Sequence, residues 1–137
     1  MPVISELIRA EQDGTISFGN YQLETKSKVQ DFEHEGDLYK VKTFYEITKL
    51  ERNGMFVYES VPGTTVHHLD VLDGGVRFQV ESDKDAQITI QLEDDTEYEV
   101  FVDGVAIGGM KTNLSGKLAV SVELNEGKAI EVKILKR

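Results

Sequence analysis

Between residues 86 and 124 apolar and polar side chains change places at almost every step, and that period of two constrains the chain more than any other feature. Ile88, Ile90 and Leu92 fall on one parity with Gln87, Thr89 and Gln91 between them. A strand sorts such residues into one buried and one wet face, whereas a helix would scatter them. Tyr98, Val100 and Val102 repeat the pattern against Glu97, Glu99 and Phe101. Asp103-Gly104 then supplies the φ > 0 positions of a type I′ hairpin, so the predicted register sets Val102 opposite Val105 and Val100 opposite Ile107. Leu118, Val120, Val122 and Leu124 alternate after a Ser115-Gly116 turn, and Ile130, Val132 and Ile134 close the chain in the same manner.

The first half reads in the same way. Residues 3–11 are predicted as a first strand, turning at Asp13-Gly14 and returning through residues 15–18. Shifted by 40 positions, residues 6–18 match residues 46–58 in class, as a duplication or as convergence on one hairpin pattern. In the second copy an Asn53-Gly54 turn pairs Arg52 with Met55, Glu51 with Phe56, Leu50 with Val57 and Lys49 with Tyr58. That register leaves apolar side chains on both faces of the ribbon, and each face needs a cover from other strands or another subunit. Ile16, Phe18, Phe56 and Tyr58 are therefore the predicted self-association contacts.

Residues 38–51 read as one long strand, and residues 21–23 and 29–34 as weaker ones. Leu69 and Val71 lead to Asp73-Gly74-Gly75, from which Val76, Phe78 and Val80 return. Pro62-Gly63-Thr64-Thr65 is the strongest boundary signal. No segment carries a helical period. The predicted fold is all-β, an antiparallel β-sandwich built from successive hairpins with about eleven strands. It divides into an N-terminal hairpin lobe, 1–62, and a β-sandwich lobe, 63–137, or runs as one continuous domain, 1–137.

A chain of 137 residues buries roughly two-thirds of its unfolded surface. It has no cysteine, which removes disulfides and thiolate chemistry. No run approaches the ~18 apolar residues of a membrane span, and residues 1–12 lack the basic start and apolar centre of a signal peptide, so a cytoplasmic location is expected. A net charge of −10 works against nucleic-acid phosphates and anionic membranes. The charge is unevenly spread: residues 81–103 hold 9 acids and only Lys84, whereas residues 104–137 hold 3 acids and 6 bases. Either the basic last strands lie beside the acidic ones in one sheet, or subunits meet head to tail.

Chemistry-bearing residues are few. His67-His68 are neighbours, and on a regular strand they point to opposite faces, one packed inward and one wet, so they cannot chelate together. His34 sits among Asp31, Glu33, Glu35 and Asp37, which read as a solvated acidic ribbon. Glu93, Asp94, Asp95 and Glu97 crowd a tight corner and are the candidate calcium ligands, with Asp83 and Asp85 near in sequence. No nucleophile elbow, P-loop or dinucleotide fingerprint is present, and among 25 acids a suitably spaced carboxylate pair carries no information. No catalytic residue and no cofactor is expected. The chain contains no Trp, and its Tyr residues mostly fall at core positions, which leaves few platforms for stacking a sugar. The reading is a non-enzymatic, acidic, self-associating scaffold or protein-interaction module, with a glycan- or calcium-binding accessory module as the alternative.

Residues 92–98, Leu-Glu-Asp-Asp-Thr-Glu-Tyr, running into Val100 and Val102, resemble the corner and strand of fibronectin type III and related immunoglobulin-like sandwiches. There a Tyr hydroxyl bonds back to the backbone, and the resemblance implies that role for Tyr98. The Asp103-Gly104 turn followed by residues 112–120 is similar to the tail of small sandwich modules attached to bacterial surface and carbohydrate-active enzymes. The likeness implies a non-catalytic piece of such a system. The whole chain also resembles short bacterial proteins sometimes labelled endosialidase. Arg9, Arg52, Arg77 and Arg137 are scattered and no Asp-box is present, so the label implies no sialidase chemistry here.

Overall fold

The computed structural model describes residues 3–137, and these form thirteen strands with no helix. They are β1 (Ile8–Ala10), β2 (Ile16–Phe18), β3 (Ser27–His34), β4 (Asp37–Phe44), β5 (Ile47–Arg52), β6 (Met55–Val61) and β7 (Thr65–Leu72). After these come β8 (Gly75–Glu81), β9 (Ala86–Gln91), β10 (Glu97–Val102), β11 (Val105–Lys111), β12 (Lys117–Val122) and β13 (Ile130–Lys136). All pair antiparallel, into a seven-stranded sheet ordered β1-β2-β7-β8-β13-β10-β11 and a six-stranded sheet ordered β12-β9-β6-β5-β4-β3. The all-β sandwich expected from the alternation is the fold found.

Burial follows parity. Val76, Phe78 and Val80 of β8, Val132 and Ile134 of β13, and Tyr98 and Val100 of β10 line the inner face of the larger sheet. Leu50, Tyr58, Ile88, Ile90, Leu118 and Val120 answer from the smaller one, and all belong to a single buried cluster. The Tyr58 ring reaches across the sandwich and meets Phe18 and Phe78 edge-on, with centroids 5.2 and 5.7 Å away. Each such contact adds about 0.5–1.5 kcal/mol to the burial of the rings.

Both sheets take strands from either side of position 63. The Pro62–Thr65 segment is a crossing from the smaller sheet to the larger one. Buried hydroxyls satisfy the polar backbone that has to pass there. Thr48 Oγ1 donates to the Thr64 carbonyl at 2.8 Å and accepts from the Thr64 N–H at 3.0 Å. Thr43 Oγ1 lies 2.8 Å from Thr48 Oγ1 and accepts from the Asn20 N–H. Thr64 Oγ1 meets Tyr58 Oη at 2.7 Å and Ser60 Oγ at 2.8 Å. A Cβ at Gly63 would stand 2.0 Å from the Phe44 carbonyl oxygen, so only glycine fits the passage.

Five local expectations change. The predicted long strand 38–51 breaks at Tyr45-Glu46, where Phe44 pairs with Ile47. Neither turn residue needs φ > 0, so the usual Gly or Asn signal is missing. Of residues 3–11 only Ile8–Ala10 is strand, because Leu7 takes φ of 73° and ends the extended run. Residues 21–23 lie in a turn region. In the β5–β6 hairpin a bulge shifts the register after Glu51–Phe56, pairing Leu50 with Tyr58 and Lys49 with Glu59, so Tyr58 turns into the core. In β10–β11 Val102 does pair with Val105, but a second bulge sets Val100 opposite Gly108 and leaves Ile107 out of the ladder. The two hairpins that match at an offset of 40 lie in different sheets, and the first closes over a five-residue loop where the second uses the two-residue Asn53-Gly54 turn.

Candidate functional site

Ile16, Phe18 and Tyr58, three of the four predicted self-association residues, are fully buried in the intramolecular core. Phe56 is half-buried, with the Lys117 ammonium 5.0 Å from its ring centroid. The covers which the two-faced ribbon needs are supplied by the protein's own strands.

The acidic corner is occupied by the protein's own cations. β10 lies between β11 and β13, and bases at the ends of those strands reach the carboxylates of β10 and of the corner before it. Lys136 Nζ is 2.7 Å from Glu93, Lys111 Nζ 3.2 Å from Asp95, and Arg137 3.7 Å from Glu97 and 2.7 Å from Glu99. Side-chain hydrogen bonds and ionic contact with Glu93 hold Lys136 above the ordinary lysine range. The corner backbone is pinned as well: Thr112 Oγ1 donates to the Glu93 carbonyl at 2.6 Å, and Tyr98 Oη accepts the Glu93 N–H at 3.1 Å. Asp85 caps the Leu124 N–H at 3.0 Å. Among the described residues no group of three or more His, Asp or Glu side chains is arranged to hold a metal ion.

The two adjacent histidines sit where β7 is irregular, and His68 takes φ of 55°. His67 pairs with exposed Gln79, on the parity that faces away from the inter-sheet core, yet it is only 1% exposed. Its Nε2 lies 3.2 Å from Glu81 Oε2. Tyr21 and Ile4 are buried outside the main cluster, and the segment before β1 folds back through an Ile4 N–H bond to the Gly19 carbonyl. Burial pushes His67 down to about 4 and Glu81 up, so both side chains are driven towards their neutral forms.

His68 is half-exposed and turns to the β1–β2 loop. Its Nδ1 is 3.1 Å from Asp13 Oδ2 and 3.0 Å from Thr15 Oγ1. A nucleophilic relay places the carboxylate and the hydroxyl on opposite ring nitrogens. Here both share one nitrogen and Thr15 Oγ1 also bonds Asp13, so the group is a loop clamp. Ser17 Oγ extends it, donating to Glu11 and accepting the His68 N–H at 3.1 Å. The Ser17 bond, opposed by burial and aided by Arg9, holds the Glu11 carboxyl below its ordinary range. His34 closes the far side of the loop, its Nε2 3.0 Å from the Gly14 carbonyl, beside a cleft of roughly 250 Å³ lined by Glu35, Asp37, Tyr39 and Arg52.

At the opposite margin the larger sheet overhangs the smaller. β1 lies against β3 at one side, so six strands beneath seven leave β11 beyond β12. Val105 is 64% and Ile107 47% exposed, and Leu114 in the following corner is 83% exposed. Below the overhang runs a groove of about 380 Å³ lined by Val102, Ile107, Val122 and Ile130, with Glu123 and Lys128 among its polar lining. The other margins differ. β1 has three residues, β3 carries Lys28, Asp31 and Glu33 and a register shift, and the end of β12 borders the groove under the overhang. In β11 no charge appears before Lys111, and Gly109 lets the Arg137 guanidinium lie against the strand. Sequence reasoning missed this margin because Val105 and Ile107 look like any other alternating pair until the strand count of each sheet is known. Among the described residues no helix is long and apolar enough to cross a membrane. No family model, no curated protein and no solved structure matches this chain.

Proposed function

We propose that the protein is a non-enzymatic β-sandwich interaction module that self-associates. The observation that carries this reading is the apolar overhang of β11, a seven-residue free edge with Val105 and Ile107 open to solvent. Exposed edges are normally shortened, charged or bulged because their unpaired N–H and C=O groups pair readily with another strand; β11 is long and uncharged before Lys111, and the bulge at Ile107 is the one such device it carries. The titratable side chains support a structural role. His68, Asp13 and Thr15 clamp a loop, and the corner carboxylates are matched by lysine and arginine.

Light scattering coupled to gel filtration between 5 and 500 µM tests the reading, these being on the order of the micromolar affinities of modest interfaces. A mass that rises from one chain towards two supports it. A mass of one chain throughout contradicts it.

A further inference from the structure

The structure assigns this self-association to one geometry: two copies joined edge to edge through β11, antiparallel about a two-fold axis, with the two seven-stranded sheets made continuous. The inference rests on the self-association proposed above and adds its surface, its direction and its stoichiometry.

The surface follows from the four free edges. β1 is too short to form a ladder, β3 is charged at Lys28, Asp31 and Glu33, and β12 opens on Lys117 and ends at the groove. Only β11 combines seven residues with an uncharged stretch from Val105 to Met110. A second copy of this chain supplies complementary charge there, since the two ends of β11 bear opposite signs, Asp103 before its start and Lys111 at its close.

The direction follows from the ends of the strand. Asp103 stands at the start of β11 in the hairpin turn, and Lys111 is its last residue; both are exposed. An antiparallel pair sets the Lys111 end of each copy beside the Asp103 end of the other, twice by symmetry. A parallel pair would stack lysine on lysine and aspartate on aspartate. The two exposed apolar side chains, Val105 and Ile107, flank the seam in both copies and extend the groove lined by Val102 and Ile130.

Stoichiometry follows from closure. A two-fold contact uses the same edge on both partners, so pairing consumes β11 in each and leaves only the blunted edges. The assembly stops at two.

The absence of cysteine makes the test direct, since a single introduced thiol carries the only label. A spin label at Val105→Cys reads the direction: antiparallel pairing over six residue steps separates the two labels by roughly 20 Å, whereas parallel pairing brings them to about 5 Å. Ile107→Lys places a charge on the free edge and is expected to weaken association at least 10-fold, with circular dichroism unchanged and the melting of the dilute monomer unchanged. If the native protein associates but Ile107→Lys leaves it unchanged, or the labels sit near 5 Å or beyond 40 Å, the β11 geometry is wrong while self-association stands. If the native protein remains a single chain at 500 µM, both fail.

Discussion

The two outer strands of the larger sheet are built to opposite ends. At the β1 margin the edge is three residues long, and its loop is locked by Asp13, Thr15, Ser17, Glu11 and His68, with His67 and Glu81 sealed nearby. At the β11 margin the edge is seven residues long, apolar, and projects past the sheet beneath it. The same pairing chemistry serves both. What differs is whether polar side chains and a facing sheet are there to finish it, and the strand left unfinished is the one we propose receives another chain.

The largest effect should separate the margins by stability. Phe18→Ala removes a fully buried ring that packs on Tyr58, and a loss of about 3–5 kcal/mol in urea unfolding is expected. Val105→Ala, at the exposed edge, should change unfolding of the monomer by less than about 0.5 kcal/mol. Equal losses at both sites would erase the contrast.

The sealed margin should also respond to acid. His67 is held down to about 4 by burial, so the unfolded chain takes up its proton first, and its contribution to stability falls as pH drops from the ordinary histidine value towards 4. Glu81 is pushed up by burial and keeps its proton when the unfolded chain has lost it. Its contribution is therefore favourable in acid and is lost as pH rises through its folded value. The two slopes oppose each other. Glu81→Gln should uncover the histidine alone, so the urea midpoint of that variant falls more steeply between pH 6.5 and about 4 than that of the native chain. Parallel profiles would count against a neutral buried His67.

Smaller effects probe the strand that carries the open edge. Tyr98→Phe removes the acceptor of the Glu93 N–H and should cost about 1 kcal/mol, read as a shift in denaturant midpoint. Raising salt to about 1 M screens the ion pairs that β11 and β13 make with the acidic corner, and monomer stability should change by less than about 1 kcal/mol.

Period-two burial made the strands, their inner faces and most turns legible in advance, because Ile88, Val100, Val120 and Val132 have no other way to share a core. Single-residue departures from that period were not legible. The bulges in β6 and β11 leave no mark in composition, yet the first turns Tyr58 inward and the second frees Ile107. The His67–Glu81 pair was hidden for a related reason: Glu81 reads as an ordinary strand-end acid, and only the folding back of the segment before β1 accompanies its burial. Which edge stays open depends on how many strands each sheet receives, a property of the whole chain order and of no local motif.

Amide hydrogen exchange, followed strand by strand as protein concentration is raised, tests the central claim most directly. The expected result is slower exchange confined to residues 105–111, with β1 and β3 unchanged. Unchanged exchange in β11 at every concentration, or new protection at β3 or at the β5–β6 hairpin in its place, would contradict it.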